Sequence, residues 1–106
     1  MKKILAKLNQ AFDHRVRLGI MSILMVNEWV EFNTLKETLG LTDGRLASHI
    51  KALEKEQFIE VRKRFVGRKP NTSYRATAAG QKAFNDHLDA LEKLLDSARD
   101  GAEGDG

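Results

Sequence analysis

The chain has 106 residues, 42% of them hydrophobic and 31% charged, with no cysteine and a formal net charge of +3. That length bounds it to one domain with a modest core, small enough for a second copy to add useful burial. Disulfides, thiolate metal sites and thiol nucleophiles are excluded, and no apolar run reaches the ~18 residues of a membrane-spanning helix. Lys7, Asn9, Gln10 and Asp13 interrupt any apolar signal region behind the basic start, so a cytoplasmic protein with no membrane partner is expected.

In chain order, residues 2–12 set Ile4, Leu5, Leu8 and Phe12 at helical spacing. Asp13 suits the N-cap of a second helix over roughly 14–27, unless that stretch continues the first with a bend. Val16, Leu18, Ile20, Met21, Ile23, Leu24 and Val26 make it apolar nearly all round, as a buried central helix is. Gly19 costs about 1 kcal/mol there relative to Ala, which a close crossing by another helix would explain. Trp29 to Phe32 reads as a short strand. A short helix then starts at Asn33 or Thr34, with Leu35 and Leu39 inward and Gly40 where a left-handed terminal residue is wanted.

Thr42 is a good N-cap for the next helix, and Asp43 is favourable in its first turn. Leu46, Ile50 and Leu53 at i, i+4 and i+7 fix its buried face, with Ala47 packed beside them. Arg45, Ser48, His49 and Lys51 are then left on the other side. Residues 58–66 read as a strand with Ile59, Val61 and Phe65 inward and Glu60, Arg62 and Arg64 outward. Residues 67–71 (GRKPN) have turn composition, and Pro70 argues for an irregular tip. Residues 72–76 return as a second strand. Thr77 caps a last helix to about Ala98, with Phe84, Leu88, Leu91 and Leu95 in a stripe.

The expected fold is mainly α with a small β-hairpin (α+β): a winged helix-turn-helix with additional N- and C-terminal dimerisation helices. Residues 1–98 form its single domain and 99–106 a polar, disordered tail. Charge is unevenly spread over this plan. Without residues 96–106 the chain holds 17 basic and 11 acidic residues, and residues 44–75 alone hold nine basic against three acidic. Positive charge thus gathers on the second helix of the pair and on the hairpin, where a polyanion would dock.

The segments RVRLGIMSIL (15–24), LKETLGLT (35–42), LASHIKALE (46–54), VGRKP (66–70) and YRATAAG (74–80) carry a family likeness in their order and spacing. The chain resembles winged helix-turn-helix transcriptional regulators of the MarR and ArsR type, particularly small stand-alone winged-helix DNA-binding proteins. The resemblance implies a dimer with a recognition helix over 43–56, a wing over 62–75 and an interface of outer helices. Ala76 departs from the larger aliphatic residue usual before Thr-x-x-Gly, which implies weaker packing under the wing. Without thiolates, the metal-sensing branch does not carry over.

The expected site residues follow. Thr42, Asp43, Gly44, Arg45, Ser48, His49 and Lys51 belong to the recognition helix, where Arg can pair with guanine and Ser or His can reach bases or phosphates. Gly44 either admits the DNA backbone closely or is a small residue tolerated near a helix start. Thr42 and Asn33 can also donate to phosphates. The wing offers Arg62, Arg64, Arg68, Lys69, Asn71 and Arg75, its tip suited to a minor groove or to phosphates. Leu5, Leu8, Phe12, Phe84, Leu88, Leu91 and Leu95 are expected at the dimer interface.

His14, His49 and His87 have no ligand spacing, and no serine sits in a nucleophile elbow, so no metal, cofactor or catalytic residue is expected. The expected partners are double-stranded DNA bearing an inverted repeat and a second copy of the chain. No effector is identifiable, and a dimer over a promoter favours repression. The rival reading is a winged-helix protein-interaction module that reads no DNA; such a module need not keep a basic wing.

Overall fold

The computed structural model describes residues 3–4 and 14–104, in the order α1 (Arg15–Met25), β1 (Val30–Glu31), α2 (Phe32–Leu39), α3 (Asp43–Lys55), β2 (Ile59–Val66), β3 (Lys69–Ala76) and α4 (Ala78–Gly104). Lys3 and Ile4 are helical, while Leu5, Leu8, Phe12 and Asp13 lie outside the described residues. The cap of α1 is His14, not Asp13: its Nδ1 accepts from the Val16 N–H at 3.3 Å. Val16, Ile20, Met21 and Leu24 form the buried stripe of α1. A Cβ on Gly19 would lie 3.0 Å from Leu39 Cδ2, so the glycine lets α1 and α2 cross closely.

The strand β1 is only two residues long, because Phe32 already turns into α2. Asn33 therefore lies inside the first turn of α2 rather than at its cap. At the other end Gly40 has φ 63°, and Leu41 N–H donates to the Lys36 carbonyl at 3.0 Å. These bonds close the helix in the left-handed manner that glycine permits. Thr42 then caps α3, its hydroxyl accepting from Arg45 N–H at 3.3 Å. Lys36 and Asp43 bridge the two helices at 2.8 Å across the turn.

The three strands form an antiparallel sheet in the order β1-β3-β2. Val30 pairs with Tyr74 and Glu31 with Ser73, so β1 covers only the base of the hairpin. The hairpin ladder runs without interruption from Ile59↔Ala76 to Val66↔Lys69. The irregular tip expected from Pro70 is therefore absent. Gly67, at φ 66°, takes the left-handed first position of a two-residue turn. With Val66↔Lys69 closing the hairpin, the next pair, Phe65↔Pro70, is a non-hydrogen-bonded one, and the proline nitrogen points to the open side of β3.

Side chains from all these elements make one core, in which Ile20, Met21, Leu35, Leu46 and Leu53 are fully buried. Each such burial contributes about 1.5–3 kcal/mol before entropy is counted. Ala76 lies in this core, 6% exposed. Ala47, by contrast, is exposed; one residue past Leu46, it has rotated off the buried stripe. Phe65 is also corrected. It shares a sheet face with Ile59 and Val61, but the hairpin has outrun the core there and leaves it 73% exposed.

The last helix does not stop near Ala98 but continues to Gly104. Its buried side is Phe84, His87 and Ala90. Near its start, Gly80 packs directly on the residue before β2: a Cβ there would stand 2.0 Å from the Phe58 carbonyl oxygen. Gly80→Ala is therefore expected to destabilise the fold by about 1–3 kcal/mol or more, because a backbone carbonyl cannot swing aside. Gly44→Ala, with nothing within 4 Å, should instead gain up to about 1 kcal/mol of helix propensity. Urea-denaturation midpoints of the two variants check both; an unmoved midpoint for Gly80→Ala would show that the contact relaxes.

Candidate nucleic-acid interface

The burial of Leu46, His49, Ile50 and Leu53 decides which side of α3 is free. Gly44, Ser48, Lys51 and Lys55 recur at helical spacing on the opposite side, and all are exposed. Arg45 is exposed beside them, and Asp43 is held by Lys36. Thr42 spends its hydroxyl on the cap.

His49 corrects the expectation that placed it on the exposed side. It stands three residues after Leu46 and one before Ile50, inside the buried stripe, and is 9% exposed. Its Nδ1 accepts from Arg17 Nε at 3.2 Å, and its ring lies 4.4 Å from that of His14. His49 therefore holds Arg17 rather than reaching outward. Arg15 and Arg45 line one shallow cleft of about 340 Å³ between α1 and the turn before α3. Arg15, Arg17 and Lys55 thus join the basic surface around α3. Sequence reading passed over them, although the two arginines flanking buried Val16 and the 44/48/51/55 spacing were visible signals.

On the wing the cations divide into two groups. Arg62 and Arg75 lie over the Trp29 ring, their guanidinium carbons 4.3 and 4.8 Å from its centroid. Arg75 Nε also donates to Glu60 Oε1. Arg62 is half-buried, and its Nε has no hydrogen-bond partner among the described residues. Asn71 accepts from the Ser73 hydroxyl at 3.1 Å. Lys63, Arg64, Arg68 and Lys69 are exposed and form no ion pair among the described residues. From residue 61 to residue 85 the chain has no acidic side chain to offset them.

Helix pair, capped turn, basic exposed helix face and twisted basic hairpin now stand together. The sequence profile of the winged helix DNA-binding domain matches residues 16–95. The chain belongs to that family. This winged helix domain is 39% identical over 83 residues to an uncharacterized protein of Methanocaldococcus jannaschii, covering 78% of this chain and 90% of that one. Its fold is similar to the transcriptional regulator homologue of Pyrococcus horikoshii OT3, with TM-score 0.80 and 29% identity over 92% of this chain and 94% of the other. A MarR-family regulator of Porphyromonas gingivalis W83 shares the fold at TM-score 0.58 and 19% identity, with 89% and 84% covered.

Other features of the winged helix domain lie apart from this face. An open cleft of about 650 Å³ is walled by Asn27, Glu60, Arg75 and Gln81 among others, none from α3. Among the described residues no three metal-ligating side chains converge, and no helix is long and apolar enough to cross a membrane. Of the outer-helix stripe, Leu88 and Leu95 are exposed and Leu91 is half-buried. Phe84, expected at a dimer interface, belongs to the chain's own core at 7% exposure, because the first turns of α4 still lie against the body of the domain.

Burial holds the His49 pKa below its ordinary 6.5, helped by the neighbouring His14, Arg17 and Arg45. Below that pH the unfolded chain takes up protons that the folded chain resists, so stability present above about pH 6.5 is lost as the pH falls. Wild-type Tm is expected to drop between pH ~7.5 and ~5.5 by more than that of His49→Gln, which keeps an acceptor for Arg17. Equal drops in the two proteins would count against the role of this imidazole.

Proposed function

We propose that the protein is a dimeric, sequence-specific regulator of transcription that binds double-stranded DNA and acts chiefly as a repressor. The observation that carries this reading is the exposed side of α3. Gly44, Arg45, Ser48, Lys51 and Lys55 line a helix whose other side is wholly committed to the core. A helix so presented fits a major groove, with Arg45 and Ser48 in its first turns nearest to base edges. Lys51, Lys55, Arg15 and Arg17 are suited to flanking phosphates. The free cations of the wing supply the remaining attraction to the duplex. A protein-interaction module need not keep a basic wing or a polar outer face on this helix, and both are present.

Base reading and phosphate holding separate by experiment. Losing a good base contact costs about 1–3 kcal/mol of discrimination. Losing a phosphate contact weakens all sequences alike and lowers the salt slope by about 0.9. Arg45→Ala is therefore expected to narrow the gap between operator and random DNA. The double variant Arg68→Ala, Lys69→Ala should weaken both and flatten the salt dependence. Titrations of an operator selected from random duplex pools, at several salt concentrations, measure this; a wild type with no salt-dependent DNA binding would end the reading.

Dimerisation is supported by Leu88 and Leu95, exposed along the middle of α4 with half-buried Leu91 between them in sequence. Two copies joined there present two recognition helices to an inverted repeat with half-sites about 34–36 Å apart. A dimer seated over a promoter excludes polymerase by occupancy. Leu88→Glu with Leu95→Glu should yield a monomer of unchanged fold, because charges buried in an apolar seam cost several kcal/mol whereas exposed positions tolerate change. Sedimentation equilibrium and circular dichroism test this; a wild type that is monomeric at micromolar concentration would refute the dimer.

A further inference from the structure

The tip of the wing is apolar as well as basic. Phe65 is 73% exposed and Val66 57% exposed, at the end of a hairpin that has left the core behind. Phe65 pairs across the strands with Pro70, so both stand on one face, while Val66 pairs with Lys69 on the other. Exposed Lys63 shares the face of Phe65 and Pro70, exposed Arg64 and Lys69 that of Val66, and exposed Arg68 sits in the turn between the strands. The regular ladder up to Gly67 makes this a narrow, pre-shaped projection. A tip that merely kept the hairpin in solution would not carry an unpacked phenylalanine, a valine and a proline. Apolar side chains on a free strand end invite unwanted association.

We propose that this tip is a wedge: Phe65, backed by Pro70, enters the minor groove, inserts at a base step and bends the duplex. The proposal rests on the DNA-binding reading and deepens it by naming what the wing does there. Charge complementarity selects the occupant. Cations beside an aromatic side chain, with no carboxylate on either hairpin strand beyond Glu60, match a groove walled by phosphates. Apolar wedges between base steps kink DNA toward the major groove, and the energy of unstacking is offset by the protein surface the bend brings into contact. Pyrimidine–purine steps deform most readily, so the wing selects TA or CA steps without reading their edges.

The test uses the full chain and an operator selected from random duplex pools, labelled for end-to-end energy transfer. A second duplex carries 2-aminopurine at the step under the wing. Wild type is expected to raise both the transfer and the 2-aminopurine emission. Phe65→Ala should bind roughly fivefold to a hundredfold more weakly, the loss of one stacking contact. It should also leave the duplex straight and keep the full salt slope, because the cations remain. Phe65→Leu should retain part of the bend. Since Phe65 is mostly exposed and lies outside the core, its Tm should not move.

DNA that is bound with salt dependence yet stays straight, or bends equally with Phe65→Ala, overturns the wedge and leaves the DNA-binding reading standing. A wild type that ignores duplex DNA overturns both. Vesicles of mixed phosphatidylserine and phosphatidylcholine are the remaining comparison. Phe65-dependent binding to them, without Phe65-dependent bending of DNA, would assign the tip to an anionic membrane surface and overturn the proposal.

Discussion

The carbonyl of Phe58 is the point on which the architecture turns. It accepts from Thr77 N–H at 3.0 Å, and Gly80 passes over it so closely that no side chain fits between. The Thr77 hydroxyl donates to the Gln57 carbonyl at 2.7 Å and accepts from Gly80 N–H at 2.9 Å. Phe58 N–H in turn donates to Leu53 at 3.0 Å, inside the last turn of α3. The exit of α3, the base of the wing and the start of α4 are therefore fastened together by bonds among Leu53, Gln57, Phe58, Thr77 and Gly80. Gln57 adopts φ 62° to make this possible. A left-handed non-glycine residue costs of order 1–3 kcal/mol, and here the bonds around its carbonyl offset that cost.

A consequence is mechanical. The exposed side of α3 can address a groove only if the wing stands at a set distance from it, and the helix that would join two copies must hold both. All three depart from the same hydrogen-bonded knot, so no flexible linker separates the start of α4 from the base of the wing. At the other end of α3 a second fixture does the same for the first turns. Thr42 caps the helix, Lys36 holds Asp43, and His49 ties α3 to Arg17 on α1. The exposed residues of α3 thus project from a helix anchored at both ends, which is how a site keeps its geometry before a partner arrives.

Most of the plan was legible in the sequence where local chemistry decides. Thr42, Gly40 and Thr77 stand where caps and a left-handed terminus are needed, and Gly19 marks a real helix crossing. The misreadings arise where position in the fold, rather than local spacing or polarity, decides burial and partners. His49 lies at i+3 from Leu46, as close to the buried axis as Ile50, yet its polarity suggested the outside. Phe65 has the parity of Val61 but stands where no core remains. Phe84 continues the spacing of Leu88 and Leu95, but it is buried in the chain's own core, whereas those two leucines are exposed. Pro70 argued for an irregular tip because the ladder's phase, which turns its missing N–H outward, depends on the loop length. Arg17 was invisible as a site residue because its partner is 32 positions away.

Position in the fold also orders the positive charge. By composition, Arg62, Arg64, Arg68, Lys69 and Arg75 are one basic hairpin. In the fold, Arg62 and Arg75 cover Trp29, and Arg75 also meets Glu60. Cation–aromatic contacts of this kind contribute about 0.5–1 kcal/mol at exposed sites and more where water is excluded. Pulling either guanidinium toward a phosphate would forfeit that contact and uncover the indole. These two arginines therefore stiffen the base of the wing, and under the proposed DNA binding the attraction falls to the exposed cations of the tip. Arg64, Arg68 and Lys69 lie at the tip, on the same stretch of hairpin as the exposed Phe65 and Val66. The wing is thus graded along its length, from a base whose charges are engaged with Trp29 and Glu60 to an end whose charges and aromatic ring are exposed.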